Sequence, residues 1–560
     1  MSTKHRRYYQ WLILLLVMVL AFAVGCRSVA DTPEDPTDPV EEPADPDDDD
    51  ANDEPADPPR LGRVIIAQDT GVGSWDPPVD WSSPGEWIID NAYDRLLDAT
   101  GDASDLEPLL AHSWEPIDEV TTRFYLREGV RFHDGTEFTA EDVKYHFERV
   151  RDGTREQYIQ QPVFQFFDDI VIHDPYTFDF VTPNPDTLLY NRLHMTGSGI
   201  VSKAYVEAVG TDEVHRNPMG TGPFKLMDWA RDEFVLFEAN DDYWGGRSEY
   251  DELMFRIIPE ASTRVAELLT GGVHLVHQVP PADWDRVRNA DGVNLVESPT
   301  GLAFLLIPRL APNPAYEGDA ELDRDFLTED VRIREAIELA IDKQALIEVA
   351  GGVGEPIRHR TFYPLPEANP DLYGAQANLH DPDRARAILE EAGYGPGEAR
   401  LVFHARSVFP QEDLARVITD MLEQVGFEVE LRILDASSFA TDIYEPRRTQ
   451  ELALNVLGGG FSPRWGAELY RSDWLVNVVG PPREQELSER VDELLEIAFS
   501  ETLDNDRRLA AYHEVASIVA EQRWNIGLYH AFKMWGISDD IQFTPRVDEM
   551  IRGQDIQLAR

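Results

Sequence analysis

The segment TRFYLREGVRFHDGTEFTAEDV, Thr122 to Val143, holds a strand, a turn and a helix start within 22 residues. Thr122 to Leu126 alternates polar and apolar side chains, the period of a strand with one buried face. Arg127-Glu128-Gly129 turns the chain, and Val130-Arg131-Phe132 comes next, so the pattern predicts a hairpin. His133-Asp134-Gly135 reads as a second turn, because Asp-Gly accepts positive φ. Thr139 then caps a helix. Glu141 and Asp142 fill its first turn, and Val143, Phe147 and Val150 recur at helical spacing.

Outward from this segment the same alternation continues. Leu61 to Ala67, Phe234 to Phe237 and Leu253 to Ile258 read as strands. Ser262 to Leu269 reads as a helix capped by Gly271-Gly272. Asp330 to Ala350 predicts one long amphipathic helix ending at Gly351-Gly352, and Pro382 to Ala392 a second, capped by Asp381. Leu401 to His404, Gln411 to Val425 and Phe427 to Leu434 give strand, helix, strand. Mixed elements of this kind predict α/β domains, with no internal repeat.

Several stretches, in order, resemble the family-5 extracytoplasmic solute-binding proteins of ABC importers, the dipeptide, oligopeptide and nickel-binding group. The first is AHSW at 111–114 with the opening segment. NPMGTGPFKL at 217–226 and EANDDYWGG at 238–246 come after it. VRIREAIELAIDKQAL at 331–346 and DPDRARAILEEAGY at 381–394 complete the set. The resemblance covers roughly residues 61–550.

That resemblance implies a two-lobe α/β fold of the periplasmic-binding-protein type (class II, cluster C) with an extra inserted domain. Lobe I would comprise 61–95, 217–297 and 528–560, the insert 96–216, and lobe II 298–527. A solute would bind in the cleft and the lobes would close over it by hinge motion. The cleft would be lined by the loop Asp69 to Trp75, by the crossing strand Gly301 to Leu306 with Phe304, and by the glycine-rich run 458–461. The implied partner is an ABC permease, the protein itself a monomer, with no cofactor and no metal. A chemosensory receptor of the same fold, or a secreted hydrolase, are the alternatives.

The run Gly458-Gly459-Gly460-Phe461-Ser462-Pro463-Arg464-Trp465 departs from the peptide receptors it resembles. Those typically carry Gly-Trp there and an Asp shortly after, which pairs with the peptide ammonium. Here a cation, Arg464, stands instead. Burying an ammonium without a partner costs several kcal/mol. Arg464 suits a carboxylate, and Phe461 or Trp465 an apolar group or a sugar face. The expected ligand is therefore peptide-like or an oligosaccharide, neutral or anionic, rather than a peptide with a free amino end.

The N-terminus addresses the chain. Lys4, Arg6 and Arg7 precede an apolar run from Trp11 to Val24, too short to span the roughly 20 residues a bilayer needs. Ala23-Val24-Gly25-Cys26 resembles a lipobox, and Cys26 is the single cysteine of the 560 residues, so lipidation at Cys26 is expected. Residues 31–60 contain 14 acidic residues and 8 prolines. Such a segment repels itself, buries nothing and reads as an extended tether. The remaining 500 residues carry 91 acidic and 45 basic side chains, a net charge of −46. This excludes nucleic acid and anionic lipid as partners of the body, since both need cationic faces. Only six residues are lysine, and the acidity suits a saline medium.

The motifs with a chemical look have structural readings. His133 beside Asp134 lacks a partnered nucleophile. Gly220-Thr221-Gly222-Pro223 has neither the spacing nor the succeeding helix of a phosphate loop. His274 and His277 lie three apart in a strand-like run and so face opposite sides. No HExxH, CxxC or GxSxG occurs, and no catalytic constellation is found, so the sequence predicts a binder rather than an enzyme.

Overall fold

The computed structural model describes residues 62–79, 83–158, 160–310, 326–360, 365–439, 450–457, 467, 470–471 and 485–559. Cys26 and the tether lie outside the described residues. Among the described residues no helix is long and apolar enough to cross a membrane.

An 11-stranded mixed sheet runs through the body. Its spine is a pair of long strands, Val293–Pro308 and Ile526–Ser538, joined antiparallel. Flanking one end are three strands that run side by side. Arg63–Gln68 pairs parallel with Glu252–Ile257 and with Leu275–Val276. Flanking the other end, Ala399–Arg406 pairs parallel with Phe427–Leu434 and with Leu452–Leu457. The first group closes over a core containing Val64, Ile66, Phe224, Phe237 and Phe255. The second closes over Ile333, Ile337, Leu401, Phe403, Leu414 and Ile418.

A separate four-stranded antiparallel sheet is built from Ala111–Pro116, Thr121–Leu126, Thr177–Val181 and Asp169–Asp174. Helix Ala140–Arg151 lies by it over a core rich in phenylalanine, including Phe124, Phe147, Phe178 and Phe180. The helix opens as the sequence predicts: the Thr139 backbone N–H donates to the Asp142 carboxylate at 3.0 Å.

Two local readings are corrected. Thr121–Leu126 does not form a hairpin with Val130 to Phe132. Both of its edges are already taken, by Ala111–Pro116 and Thr177–Val181. The 130–132 stretch pairs instead with residues 136–138: the Phe132 N–H donates to Thr136 O at 2.8 Å and the Phe138 N–H to Val130 O at 3.0 Å. The turn between them is Asp134-Gly135, with Gly135 at φ +86°. The long helix from Asp330 is also two helices, Val331–Ala340 and Lys343–Val349. Ile341 is extended, and the Asp342 side chain accepts the N–H groups of Gln344 and Ala345, which starts the second helix. The break lets the buried Lys343 ammonium reach Glu338 at 3.3 Å, where Arg358 and Arg523 also pair. Helix Gln411–Val425 and strand Phe427–Leu434 form as read.

Candidate functional site

Strand directions bring two sets of strand ends face to face. Leu275–Val276 is antiparallel to Ile526–Ser538, and that strand is antiparallel to Val293–Pro308. The first group of three therefore runs in the same sense as Val293–Pro308 and sits by its start. Leu452–Leu457 is antiparallel to Val293–Pro308 and pairs with its end, Ala303 to Pro308. The second group therefore runs in the opposite sense. The carboxyl ends of both groups point at each other, towards the middle of the two long strands. Carboxyl ends of parallel strands are where open α/β sheets bind ligands, because loops and backbone polar groups collect there.

The middle of the long strands is irregular. The register slips between Pro299 and Ala303, so residues 300–302 stand opposite Ala531 as extra chain. Thr300 stitches the slip. Its hydroxyl donates to Ala531 O at 2.7 Å and accepts the Leu302 N–H at 3.2 Å. Gly301 lies within it.

At the first group, the loop after Gln68 is fixed by its far end. Asp76, fully buried, takes both terminal nitrogens of Arg149 at 2.6 and 2.9 Å. Ser74 Oγ accepts the Asp76 N–H and lies 2.8 Å from His215 Nδ1. Asp69 is exposed at the strand end. Trp75 has no exposed surface. It stands edge-on to Trp229 and Phe237, with centroids 5.9 and 5.8 Å away, and anchors the loop to the core. Phe304 is 5% exposed and lies flat on Tyr529, centroids 4.5 Å apart. Gly460, Phe461, Arg464 and Trp465 lie outside the described residues. Of the expected lining, then, Asp69 stands exposed at a strand end and Gly301 lies in the register slip, while Trp75 and Phe304 are packed away.

Sequence reasoning passed over two features. The first is Arg406, the last residue of Ala399–Arg406, whose Nε is buried without a hydrogen-bond partner among the described residues. This buried Nε at a strand end is a donor that a carboxylate from outside can take. Beside it Val408 and Phe409 are 45% and 60% exposed, unusual for large apolar side chains. The available signal was a cation two residues past the predicted strand Leu401 to His404. The second is a chain of three groups by the other strand ends. His277 Nε2 lies 3.2 Å from Glu549, which pairs with Lys533 at 2.5 Å. The His277 ring sits between Trp87 and Trp535, at 4.6 and 4.7 Å. Burial lowers the His277 pKa, so the ring is neutral near pH 7. Burial pushes Glu549 upward, but His277 and Lys533 outweigh it and hold the carboxyl below its usual value. Gln278 and Glu549 both have φ near +60°, at +60° and +65°. Backbone strain of this kind clusters at functional sites.

The other motifs keep their structural readings. His133 Nε2 lies 3.0 Å from Gly222 O, and burial lowers its pKa to about 4. Gly220 and Gly222 press on the Ala92 backbone so closely that a Cβ at Gly220 would stand 2.1 Å from Ala92 O. His274 Nδ1 accepts the Ile65 N–H at 2.9 Å, and so serves the sheet.

Residues 105–474 match the model of the bacterial extracellular solute-binding proteins, family 5. The chain is 29% identical to the dipeptide-binding protein of Escherichia coli K12 over 353 residues, 59% of this chain and 63% of that one. It is 30% identical to heme-binding protein A of Haemophilus influenzae over 331 residues, 54% of this chain and 57% of that one. These two alignments thus span less than two thirds of either relative. A glutathione-binding protein of Pectobacterium atrosepticum is 26% identical over 418 residues, 74% of this chain and 76% of that one. Among solved structures, HbpA2 of Haemophilus parasuis superposes with a TM-score of 0.75 at 21% identity, covering 89% of this chain and 99% of that one. An ABC transporter substrate-binding protein of Sinorhizobium meliloti gives 0.74 at 23% identity, covering 89% and 100%. The fold is thereby the mixed α/β, two-lobe architecture of these proteins.

Proposed function

We propose, from the premise that this chain belongs to the family-5 bacterial extracellular solute-binding proteins, that it is the lipid-anchored receptor of an ABC importer. Proteins of this family are extracytoplasmic binders rather than enzymes. Here Cys26 would carry the lipid, residues 31–60 would be the spacer, and a membrane permease would take the solute. The lobes are assigned as 61–95 with 217–297 and 528–560, and 298–527, with 96–216 as the insert. The division of the apolar cores supports this partition.

The solute is an anion without a free ammonium, peptide-like or an oligosaccharide bearing a carboxylate. The observation that carries this reading is the buried Arg406 Nε, without a hydrogen-bond partner among the described residues, at a strand end that faces the opposite group of strands. Asp69 and Gly301 complete the proposed lining, and Arg464 of the glycine-rich run adds a second cation. The relatives named for dipeptide, heme and glutathione make carboxylate-bearing solutes a natural class for this cleft.

Calorimetry with three pools tests it: free dipeptides, N-acetylated dipeptides, and oligosaccharides with and without uronic acids. The carboxylate-bearing pools lacking an ammonium should bind, and Arg406→Ala should weaken them at least tenfold. Binding that N-acetylation abolishes, or that Arg406→Ala leaves unchanged, overturns the reading.

A further inference from the structure

A cavity of about 380 Å³ lies away from the strand ends, between the four-stranded sheet domain and helix Asn505–Gln522. Its volume is in the range of small-molecule sites, about 300–1,000 Å³. One wall is aromatic. Trp114 and Tyr190 both line it, centroids 6.1 Å apart and planes tilted by 46°, and both are half-buried. The cavity therefore offers two ring faces set at an angle.

The polar lining is mixed in a telling way. The indole N–H of Trp114 and the amide of Asn191 are donors that bond to no described residue. Asn505 accepts Arg508 at its Oδ1, at 2.8 and 3.1 Å, which leaves its amide N–H groups as donors. Against these donors stand acceptors such as the exposed Glu119 carboxylate. The lining guanidinium, Arg508, is engaged by Glu367 at 2.7 Å. His194 is held neutral, its pKa lowered by burial to about 4. In a chain of 105 acidic residues, carboxylates on a wall say little about the ligand. Free donors beside free acceptors say more. A cation uses only acceptors and an anion only donors, whereas a hydroxyl uses both. Ring faces flanked by donors and acceptors match a pyranose, with its apolar C–H face and its equatorial hydroxyls.

The cavity also lies beside a seam between the sheet domain and helix Gln485–Ser500. Thr187, from the sheet-domain side, donates its N–H to Phe499 O at 3.2 Å and its hydroxyl to Ala498 O at 3.1 Å. These are end carbonyls of helix Gln485–Ser500, groups a helix cannot satisfy internally. Thr502 donates to Glu119 O at 3.2 Å in return. A ligand in the cavity would add to this seam from both walls.

We propose that this cavity is a second binding site, for a neutral sugar, distinct from the cleft at the strand ends. Tryptophan fluorescence and calorimetry on the full-length protein test it, with glucose, galactose, maltose and cellobiose as probes. One of these sugars should bind, and Trp114→Leu and Asn191→Ala should each weaken it at least tenfold with melting temperatures near the parent's. Arg406→Ala should leave it unchanged. Loss on Arg406→Ala with retention in Trp114→Leu would put the sugar in the cleft and overturn the proposal. So would binding by none of the four, or saturable binding of choline or putrescine in their place. Failure of the anion reading of the cleft would not touch these outcomes, since Arg406 does not line the cavity.

Discussion

Replacing Asp76 by Asn should destabilise the protein and loosen the loop that the first strand delivers to the cleft. The Asp76 carboxylate is fully buried and Arg149 is 8% exposed, so the pair is shielded from water. It is bidentate, at 2.6 and 2.9 Å. An amide at position 76 keeps the shape and removes the charge. Arg149 would then keep one neutral acceptor, the amide oxygen at position 76, with the Tyr158 hydroxyl 3.4 Å away and the face of that ring. A buried charge stripped of its partner costs about 3–5 kcal/mol. At about 2–4 °C per kcal/mol for a domain of this size, the unfolding transition should fall by about 10 °C. The double variant Asp76→Asn/Arg149→Met should recover most of the loss, because neither charge then remains. Urea unfolding measures the energies. Hydrogen exchange at Trp75, whose N–H bonds His215 O at 3.2 Å, reports the loop. A single variant within about 1 kcal/mol of the parent, or a double variant as weak as the single, would refute the reasoning.

Other outcomes rest on the same structure. Burial raises the Asp94 pKa to about 6, against donors from Trp244, Thr221 and Tyr243. Because the folded value exceeds the unfolded one, the native state holds the proton longer, and stability is lost as pH rises from about 4 to 6. The loss is roughly 3 kcal/mol; Asp94→Asn should lack it, and a parent-minus-variant difference flat across that range would contradict this. With −46 on the body, the melting temperature should rise from about 0.1 to 2 M KCl by screening; a flat or falling profile would count against saline adaptation. Cys26→Ala should leave the membrane fraction for the soluble one in a host that processes lipoproteins, and an unchanged fractionation would rule out the anchor.

Much of the fold was legible because local signals and tertiary packing agree. Gln411 to Val425 shows an apolar stripe, and the stripe is what its core needs. The hairpin reading failed because edge occupancy is decided by Thr177–Val181, some 50 residues away from Thr121–Leu126. The long-helix reading failed because Asp342 is tolerable inside a helix but better as a cap, and the buried Glu338–Lys343 pair tips the choice. Trp75 read as lining because it comes after a strand. Its direction is set by Asp76 and Arg149, 73 positions apart, a pairing no local pattern reveals. Arg406 was invisible for a related reason. Its residue type is plain in the sequence, but that its strand end faces the opposite group emerges only from strand directions carried through two long strands.

The proposed function holds a solute between the facing strand ends and brings the two groups of strands together over it. The distance between them tests this most directly. With Cys26 replaced, the chain has no other cysteine, so Asp241→Cys and Glu430→Cys, both exposed, accept spin labels uniquely. Adding N-acetylated dipeptides or uronic-acid oligosaccharides should shift the label distances to a shorter, narrower distribution, and Arg406→Ala should abolish the shift at the same concentration. Calorimetric binding of the solute with an unchanged distance distribution would contradict the account.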